Sequence, residues 1–300
     1  MQPLELYIHI PFCVKKCAYC DFLSGPAGEK EKEEYVKMLV DEIRNCPDTV
    51  QNYRVISIFF GGGTPSLLTG EQIGRLMDTV REIFTLDEDA EITMEMNPGT
   101  VTEEKLRKYR QAGVNRLSIG LQSVNDEELR LLGRIHTYEE FREAYHLARA
   151  NGFSNINVDL ISAIPGQTVE SWRRTLEQVM ALSPEHISAY SLILEEGTTF
   201  YKKYVEDEAK EGPKLPDEDA ERQMYWDTET LMEKNGYHRY EISNYAKEGY
   251  ACRHNLGYWE RIPYLGFGIG AASLVPGDLI GKCRKLEGKM SRYTNPDQLR

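Results

Sequence analysis

Residues 6–22 read LYIHIPFCVKKCAYCDF, with Cys13, Cys17 and Cys20 spaced C-x3-C-x2-C directly after a short apolar run of strand length. Thiolates are soft ligands that suit zinc and iron–sulfur clusters. A protein-bound [4Fe–4S] cluster usually takes four cysteines. Three clustered cysteines leave one iron open, by the logic that keeps one position free in a catalytic zinc site. An open iron can take a substrate. Zinc would need a fourth Cys or His, and His9 within the strand is the only nearby candidate. A disulfide is disfavoured: the chain opens MQPLELYI, with no positively charged apolar leader. In a reducing cytosol, clustered cysteines are more often metal ligands or catalytic than bridged. The expected location is cytoplasmic.

Bulk composition sets wide bounds. Three hundred residues make one large domain or two smaller ones. The 41% hydrophobic content is ordinary for a globular protein. No run approaches the roughly 18 apolar residues of a membrane span. A net charge of −12 opposes binding to a phosphate backbone and argues against nucleic acid as a partner. Of the other cysteines, Cys46 falls at the end of an amphipathic helix and reads as packing. Cys283 carries no reading.

The fold follows from an alternating pattern. Strands are expected at 4–10, 55–60, 91–96, 115–120, 155–161 and 186–192. Helices are expected at 30–44, 70–84, 102–112, 126–132, 138–151 and 170–182, from apolar residues at helical spacing. Alternation of this kind means a parallel sheet with right-handed crossovers. Six units in about 190 residues suit an α/β fold built as a partial (β/α)6 barrel, residues 1–194, with a doubly wound sheet as the alternative. Residues 195–216 are polar and charged and read as a linker or excursion. Residues 217–300 read as a smaller α+β region, with a helix at 217–235 and strands at 237–242 and within 264–275.

In a barrel, function gathers at the C-terminal ends of the strands. The cysteine loop, the turn Gly61-Gly62-Gly63-Thr64-Pro65, Glu95, Gln122, Asp159 and Tyr190 all fall there. Glycines after a strand let the backbone approach a ligand, although an isolated GGG is by itself a plain tight turn. No Lys-Ser/Thr follows, so it is not a Walker A loop. A carboxylate such as Glu95 can bind ribose hydroxyls or an ammonium. Arg134 could clamp a carboxylate in bidentate fashion. Each also has a plainer role: Arg134 a surface charge, Asp159 a cap partner, Gln122 a turn residue. His136, His146, His186 and His238 read as structural or solvent-facing.

The cysteine triad at the end of a first strand resembles the signature of the radical S-adenosylmethionine (SAM) enzymes. In those enzymes the amino and carboxylate groups of SAM chelate the open iron, and one electron from the cluster splits the sulfonium to a 5′-deoxyadenosyl radical. GGGTP resembles their segment for the methionyl amino group. LYIHIPFCVKKCAYCDF, GGGTPSLL, EMNPGT, RLSIGLQS, LGRIHT and NVDLISAIPGQT together resemble the oxygen-independent coproporphyrinogen III oxidase family, from Leu6 to about Ser273. The resemblance implies a SAM site made by Tyr7, Gly62, Gly63, Thr64, Glu95, Gln122, Arg134 and Asp159. The family's oxidases hold a second SAM. An electron donor such as flavodoxin or ferredoxin is implied as well.

The family has two branches, and this sequence departs from the oxidases. They carry a fourth cysteine two places after the third, where this chain has Phe22, and an extension ahead of the first strand. Residues 253–259, RHNLGYW, match instead the H-N-x-x-Y-W motif of the heme chaperone branch (HemW). That branch is thought to bind heme and deliver it to acceptors such as respiratory enzymes, which implies a peripheral position at the membrane. Its members continue into a helical C-terminal domain past the point where this chain stops. Chemically, His254 could ligate heme iron, and Tyr258 and Trp259 offer flat faces to a macrocycle. Cys252 is a second candidate ligand. Against this, His254 and Trp259 could simply pack the C-terminal segment onto the barrel. The remaining readings are an oxidase that decarboxylates the propionates of coproporphyrinogen III, and a plain iron–sulfur domain without SAM chemistry.

Overall fold

The computed structural model describes residues 1–207, 211–280 and 290–297; Cys283 lies outside them. Six strand–helix units open the chain. They are β1 (Gln2–Ile10), α1 (Glu29–Arg44), β2 (Tyr53–Gly62), α2 (Gly70–Ile83), β3 (Thr85–Met96), α3 (Glu103–Ala112) and β4 (Arg116–Gln122), followed by α4 (Asp126–Leu132), α5 (Tyr138–Ala150), β5 (Ile156–Ser162), α6 (Val169–Ala181) and β6 (His186–Ser191). Strands β1 to β6 are parallel and lie side by side in sequence order. A doubly wound sheet needs a reversal of strand order, and there is none here. The architecture is the partial barrel.

Local chemistry fixes the helix starts. Thr69, Thr102, Thr137 and Thr168 each accept a hydrogen bond from the backbone N–H three residues on, capping α2, α3, α5 and α6. Gly113 and Gly133 end α3 and α4 in the left-handed conformation that glycine adopts without strain.

Alternation along each strand divides the sheet into two faces. On β1, Leu4, Leu6, Ile8 and Ile10 are fully buried and join Tyr35, Val36, Leu39 and Ile43 of α1 in the main core. The opposite face, turned into the barrel, is polar: Glu5, Ser57, Glu91, Thr93, Arg116, Ser118, Asn157, His186 and Ser188 are all buried.

The rest of the chain extends this sheet at both edges. After α7 (Thr199–Tyr201), which runs into a π-helical turn over Lys202–Glu206, come α8 (Glu218–Lys234), β7 (His238–Arg239) and β8 (Asn244–Ala246). Next are α9 (Arg253–Glu260), β9 (Tyr264–Phe267), β10 (Ala272–Pro276) and β11 (Met290–Thr294). Strand β8 adds antiparallel to β6, while β9 adds parallel to β1. The sheet order is β11-β10-β9-β1-β2-β3-β4-β5-β6-β8-β7, and among the described residues the two edges do not pair with each other.

Two expectations for the later residues change. The strand expected at 237–242 is broken, because the Glu241 carboxylate accepts from Ser243 N–H and Asn244 Nδ2 and turns the chain. The run 264–275 is split by Gly268 and Gly270, both at positive φ. Residues 253–260, for which no element is expected from the sequence, form α9.

Leu6→Ala should lower stability by about 2–5 kcal/mol, because the cavity would open between the sheet and its helices. The check is a urea unfolding curve; a midpoint unchanged from wild type would mean Leu6 is not in the core.

Candidate functional site

The cysteine loop is tied down on all sides. Cys13 N–H donates to Gly25 O and Gly25 N–H to Pro11 O, closing its base. Ala18 N–H donates to Leu132 O after β4, and Phe200 N–H to Ala18 O. Lys16 Nζ staples the tip to Phe22 O at 3.0 Å. Cys13 Sγ lies 3.6 Å from Thr64 Oγ1, and Cys17 Sγ lies 3.7 Å from Arg134 Nη1. Burial raises the Cys20 thiol, and its Cys17 and Cys13 neighbours add to the shift.

Three thiols with no free fourth Cys or His beside them suit, by their chemistry, a cluster with one open iron better than a closed zinc site. Among the described residues, no three His, Cys, Asp or Glu groups converge on one metal position. A cluster spreads its thiolates over different irons, so its ligands need not converge. Zinc would need His9, and both its ring nitrogens are engaged, Nδ1 with Tyr7 OH at 3.0 Å and Nε2 with Leu23 O at 2.9 Å.

The glycine turn packs against this loop. Gly62 has φ +110, and a Cβ there would meet the His9 ring at 2.4 Å. A Cβ on Gly63 would meet Phe12 O at 2.7 Å. The glycines are therefore needed first for the approach of β2 to β1. Gly62 N–H donates to Glu95 Oε2 at 3.0 Å and Gly63 N–H to Ile10 O at 2.9 Å. With those donors spent, the backbone here can only accept, which suits an ammonium.

Glu95 and Asp159 supply negative charge to the same space. Burial pushes Glu95 up to about 8, the Asp159 charge pushes it further, and the Gly62 N–H works against both. Asp159 is also raised, mainly by burial, despite hydrogen bonds from Ser118 Oγ at 3.0 Å and Asn157 Nδ2 at 2.8 Å. The Arg116 charge pulls Asp159 down but is not among the influences on Glu95, and a bound sulfonium or ammonium would balance the remaining carboxyl. Arg134 donates Nη2 to Gly120 O at 2.6 Å, and its buried Nε has no partner among the described residues. Gln122 is buried and sits at φ +77, a strained conformation for a non-glycine residue, at the end of β4. Tyr7 OH is held on His9. All eight residues expected to hold SAM thus lie at or beside the C-terminal ends of β1 to β5.

The heme candidates lie elsewhere, on α9. Cys252, at its N-cap, gives no side-chain cap. The Glu91 carboxylate from β3 takes that place, accepting from Arg253 N–H at 3.2 Å, His254 N–H at 3.4 Å and Cys252 Sγ at 3.3 Å. An anion at a helix N-terminus is stabilising. A Cβ on Gly257 would fall 2.2 Å from Glu5 Oε1, so α9 lies directly on β1. His254 is buried, stacked on Phe59 with ring centroids 5.2 Å apart. Its Nδ1 bonds Ser57 Oγ at 2.8 Å and its Nε2 bonds Tyr258 OH at 3.0 Å. Burial first, then the Arg116 charge, lowers it to about 3. Both ring nitrogens are thus engaged by hydroxyls in this structure. Cys252 is likewise buried on Glu91. Trp259, 58% exposed, and Tyr258, 41% exposed, do reach the surface.

Sequence reading missed Glu5, Ser57, Glu91 and Arg116, which seat α9. Polar residues alternating with apolar ones on supposedly buried strands were the available signal. His186, bonded to Asn157 at 2.6 Å and Tyr240 at 2.8 Å, is structural as expected.

Comparison with known proteins places this geometry. The family model of the radical SAM superfamily matches residues 7–179. The heme chaperone HemW of Escherichia coli is 44% identical over 272 residues, covering 90% of this chain and 70% of that protein. The chain belongs to the radical SAM superfamily and to its HemW family. HemW of Bacillus subtilis is 39% identical, with 90% of this chain and 71% of that protein covered. Among solved structures, the coproporphyrinogen III oxidase HemN of Escherichia coli, a radical SAM enzyme, superposes with a TM-score of 0.81 at 28% identity. That superposition covers 99% of this chain and 67% of HemN. The radical SAM family carries a [4Fe–4S] cluster and SAM, as the thiols and the carboxyl pair of this site suggest. Among the described residues, no helix is long and apolar enough to cross a membrane.

In cluster-free and SAM-free protein, Glu95→Gln should be stabilising, by about 1–3 kcal/mol at pH 8. A carboxyl raised on folding binds its proton more tightly in the folded chain. Wild-type stability therefore falls as pH climbs from about 4.5, the ordinary value, to about 8, the folded one. The advantage of the variant should widen across that window and then level off. Unfolding curves at pH 5 and pH 8 that show the same difference would refute the raised carboxyl.

Proposed function

We propose that this protein is a heme chaperone of the HemW type, which binds heme and hands it to acceptor proteins such as respiratory enzymes. The observation that carries the reading is the 44% identity to HemW across 90% of the chain, against 28% to the oxidase structure. Phe22 adds to it, standing where the oxidases place a fourth cysteine. The protein works in the cytoplasm and peripherally at the membrane, without nucleic acid, and takes electrons from a flavodoxin or ferredoxin.

In this reading Cys13, Cys17 and Cys20 hold the cluster. Tyr7, Gly62, Gly63, Thr64, Glu95, Gln122, Arg134 and Asp159 hold SAM. Bound together, cluster and SAM supply one-electron chemistry at the mouth of the barrel. The Gly62–Gly63 backbone accepts from the ammonium, while Glu95 and Asp159 balance the positive charge. Heme rests against the outer end of α9, on Trp259 with Tyr258 at its edge, and His254 contributes by seating the helix. The runner-up is the oxidase, supported by the TM-score of 0.81 to HemN.

Anaerobic incubation of cluster-loaded protein with coproporphyrinogen III, SAM and a reductant decides between them by mass spectrometry. The chaperone reading expects an unchanged porphyrin; loss of two carboxyl groups as carbon dioxide would establish the oxidase. Cys17→Ala should lose the cluster, and full iron loading of that variant would remove Cys17 from the ligand set.

Heme titration separates the roles on α9. Trp259→Ala should weaken binding about tenfold, the order of one well-placed aromatic contact. His254→Gln should leave the absorption and magnetic circular dichroism bands of bound heme where they are. A shift in those bands, with the fold intact, would return the imidazole to the iron.

A further inference from the structure

A continuous chain of hydrogen bonds joins Asp159 to the start of α9, and the direction of every bond in it can be read. The Asp159 carboxylate accepts from Ser118 Oγ at 3.0 Å and from Asn157 Nδ2 at 2.8 Å. A carboxylate can only accept, so Asn157 turns its amide nitrogen toward Asp159 and its Oδ1 away. That Oδ1 lies 2.6 Å from His186 Nδ1, so His186 carries its proton on Nδ1. Burial first, then the Arg116 charge, holds His186 well below its ordinary value. The ring is therefore neutral, and its Nε2 is an acceptor. Tyr240 OH, 2.8 Å from Nε2, donates to it. The same Tyr240 oxygen accepts from Cys252 N–H at 3.3 Å and from Asn255 Nδ2 at 3.2 Å. Ser188 Oγ also donates to Asn157 Oδ1, at 3.1 Å, which steadies that amide without interrupting the chain. All the donors thus point one way, from α9 toward Asp159.

We propose that Asn255, Tyr240 and His186 are positioning residues for SAM, whose directed hydrogen bonds fix the Asp159 carboxylate and couple SAM binding to the seating of α9. The inference rests on the reading of Asp159 as a SAM contact and deepens it by naming what holds that contact in place. Hydrogen bonds aligned head to tail polarise one another. A bound cation keeps Asp159 ionised and so a strong acceptor. Asn157 Oδ1, His186 Nε2 and the Tyr240 oxygen each become better acceptors in turn, and the start of α9 is gripped more tightly. Coupling of this kind is reciprocal, so loosening α9 from Tyr240 weakens SAM binding. The chain also gives the asparagine of the H-N-x-x-Y-W motif a task that the aromatic surface of α9 does not.

The test uses cluster-loaded protein and two measurements. Calorimetric titration with SAM should show binding weakened about fivefold by Tyr240→Phe and similarly by Asn255→Ala, the order of one buried hydrogen bond. Tyr237→Phe removes another tyrosine hydroxyl, bonded to Pro184 O at 2.7 Å and outside the chain, and should bind SAM as the wild type does. The second measurement is hydrogen exchange without SAM. Asp159→Asn should speed exchange at the start of α9 about threefold, and in a Tyr240→Phe background it should make no further difference. That cycle separates the chain from Arg116, whose charge acts on both Asp159 and Cys252. Unchanged SAM affinity in Tyr240→Phe and Asn255→Ala would overturn the proposal, and so would an equal loss in Tyr237→Phe. An Asp159→Asn effect that persists without the Tyr240 hydroxyl would overturn it as well. Should Tyr240→Phe fail to load iron, Asn255→Ala takes its place in both measurements. A wild type that binds no SAM would refute the SAM reading itself, whereas normal binding in the variants refutes only the coupling.

Discussion

The approach of the turn after β2 to the backbone of β1 is the contact on which the site depends. Gly62 clears the His9 ring only because it has no Cβ, and Gly63 N–H bonds Ile10 O at 2.9 Å. That contact sets Thr64 beside Cys13 and Gly62 beside Glu95 in one step. It also commits His9, whose second nitrogen holds Leu23 O and so fixes the far end of the cysteine loop. A larger residue at either glycine would push the loop and the strand apart. The three cysteines and the groups proposed to hold SAM would then move together.

The polar interior of the barrel is the second constraint. Parallel strands covered by helices normally bury apolar side chains on both faces. Here one face of β1 to β6 buries charge. Arg116 lies at its centre, fully buried among Glu91, Asp159 and Cys252, with Nε lacking a partner among the described residues. Unpaired groups of this kind are expensive, and α9 is the element that shares the cost. Its N-terminus takes the Glu91 charge, its His254 takes Ser57, and its Gly257 lets the helix lie on Glu5. Burial first, and the charges of Glu91 and Glu260 next, push the Glu5 carboxyl up to about 8 against the Ser57 hydrogen bond. The H-N-x-x-Y-W motif therefore has a structural duty in its histidine and a free aromatic surface in its tryptophan.

The sequence by itself determined the strand–helix alternation, the parallel partial barrel and the strand-tip placement of the site, because each depends on local periodicity or on residues within one loop. Apolar residues at helical spacing announce the helices, and the cysteine spacing lies within a single turn of chain. Tertiary structure alone decided what lies far apart in sequence. Helix α9 was not legible because its cap, Glu91, is more than 150 residues upstream. The fate of His254 was hidden likewise, since Ser57 and Phe59 occupy it from another strand. Spacing reports which groups can reach a common point along one segment; only packing decides which of their atoms are already taken.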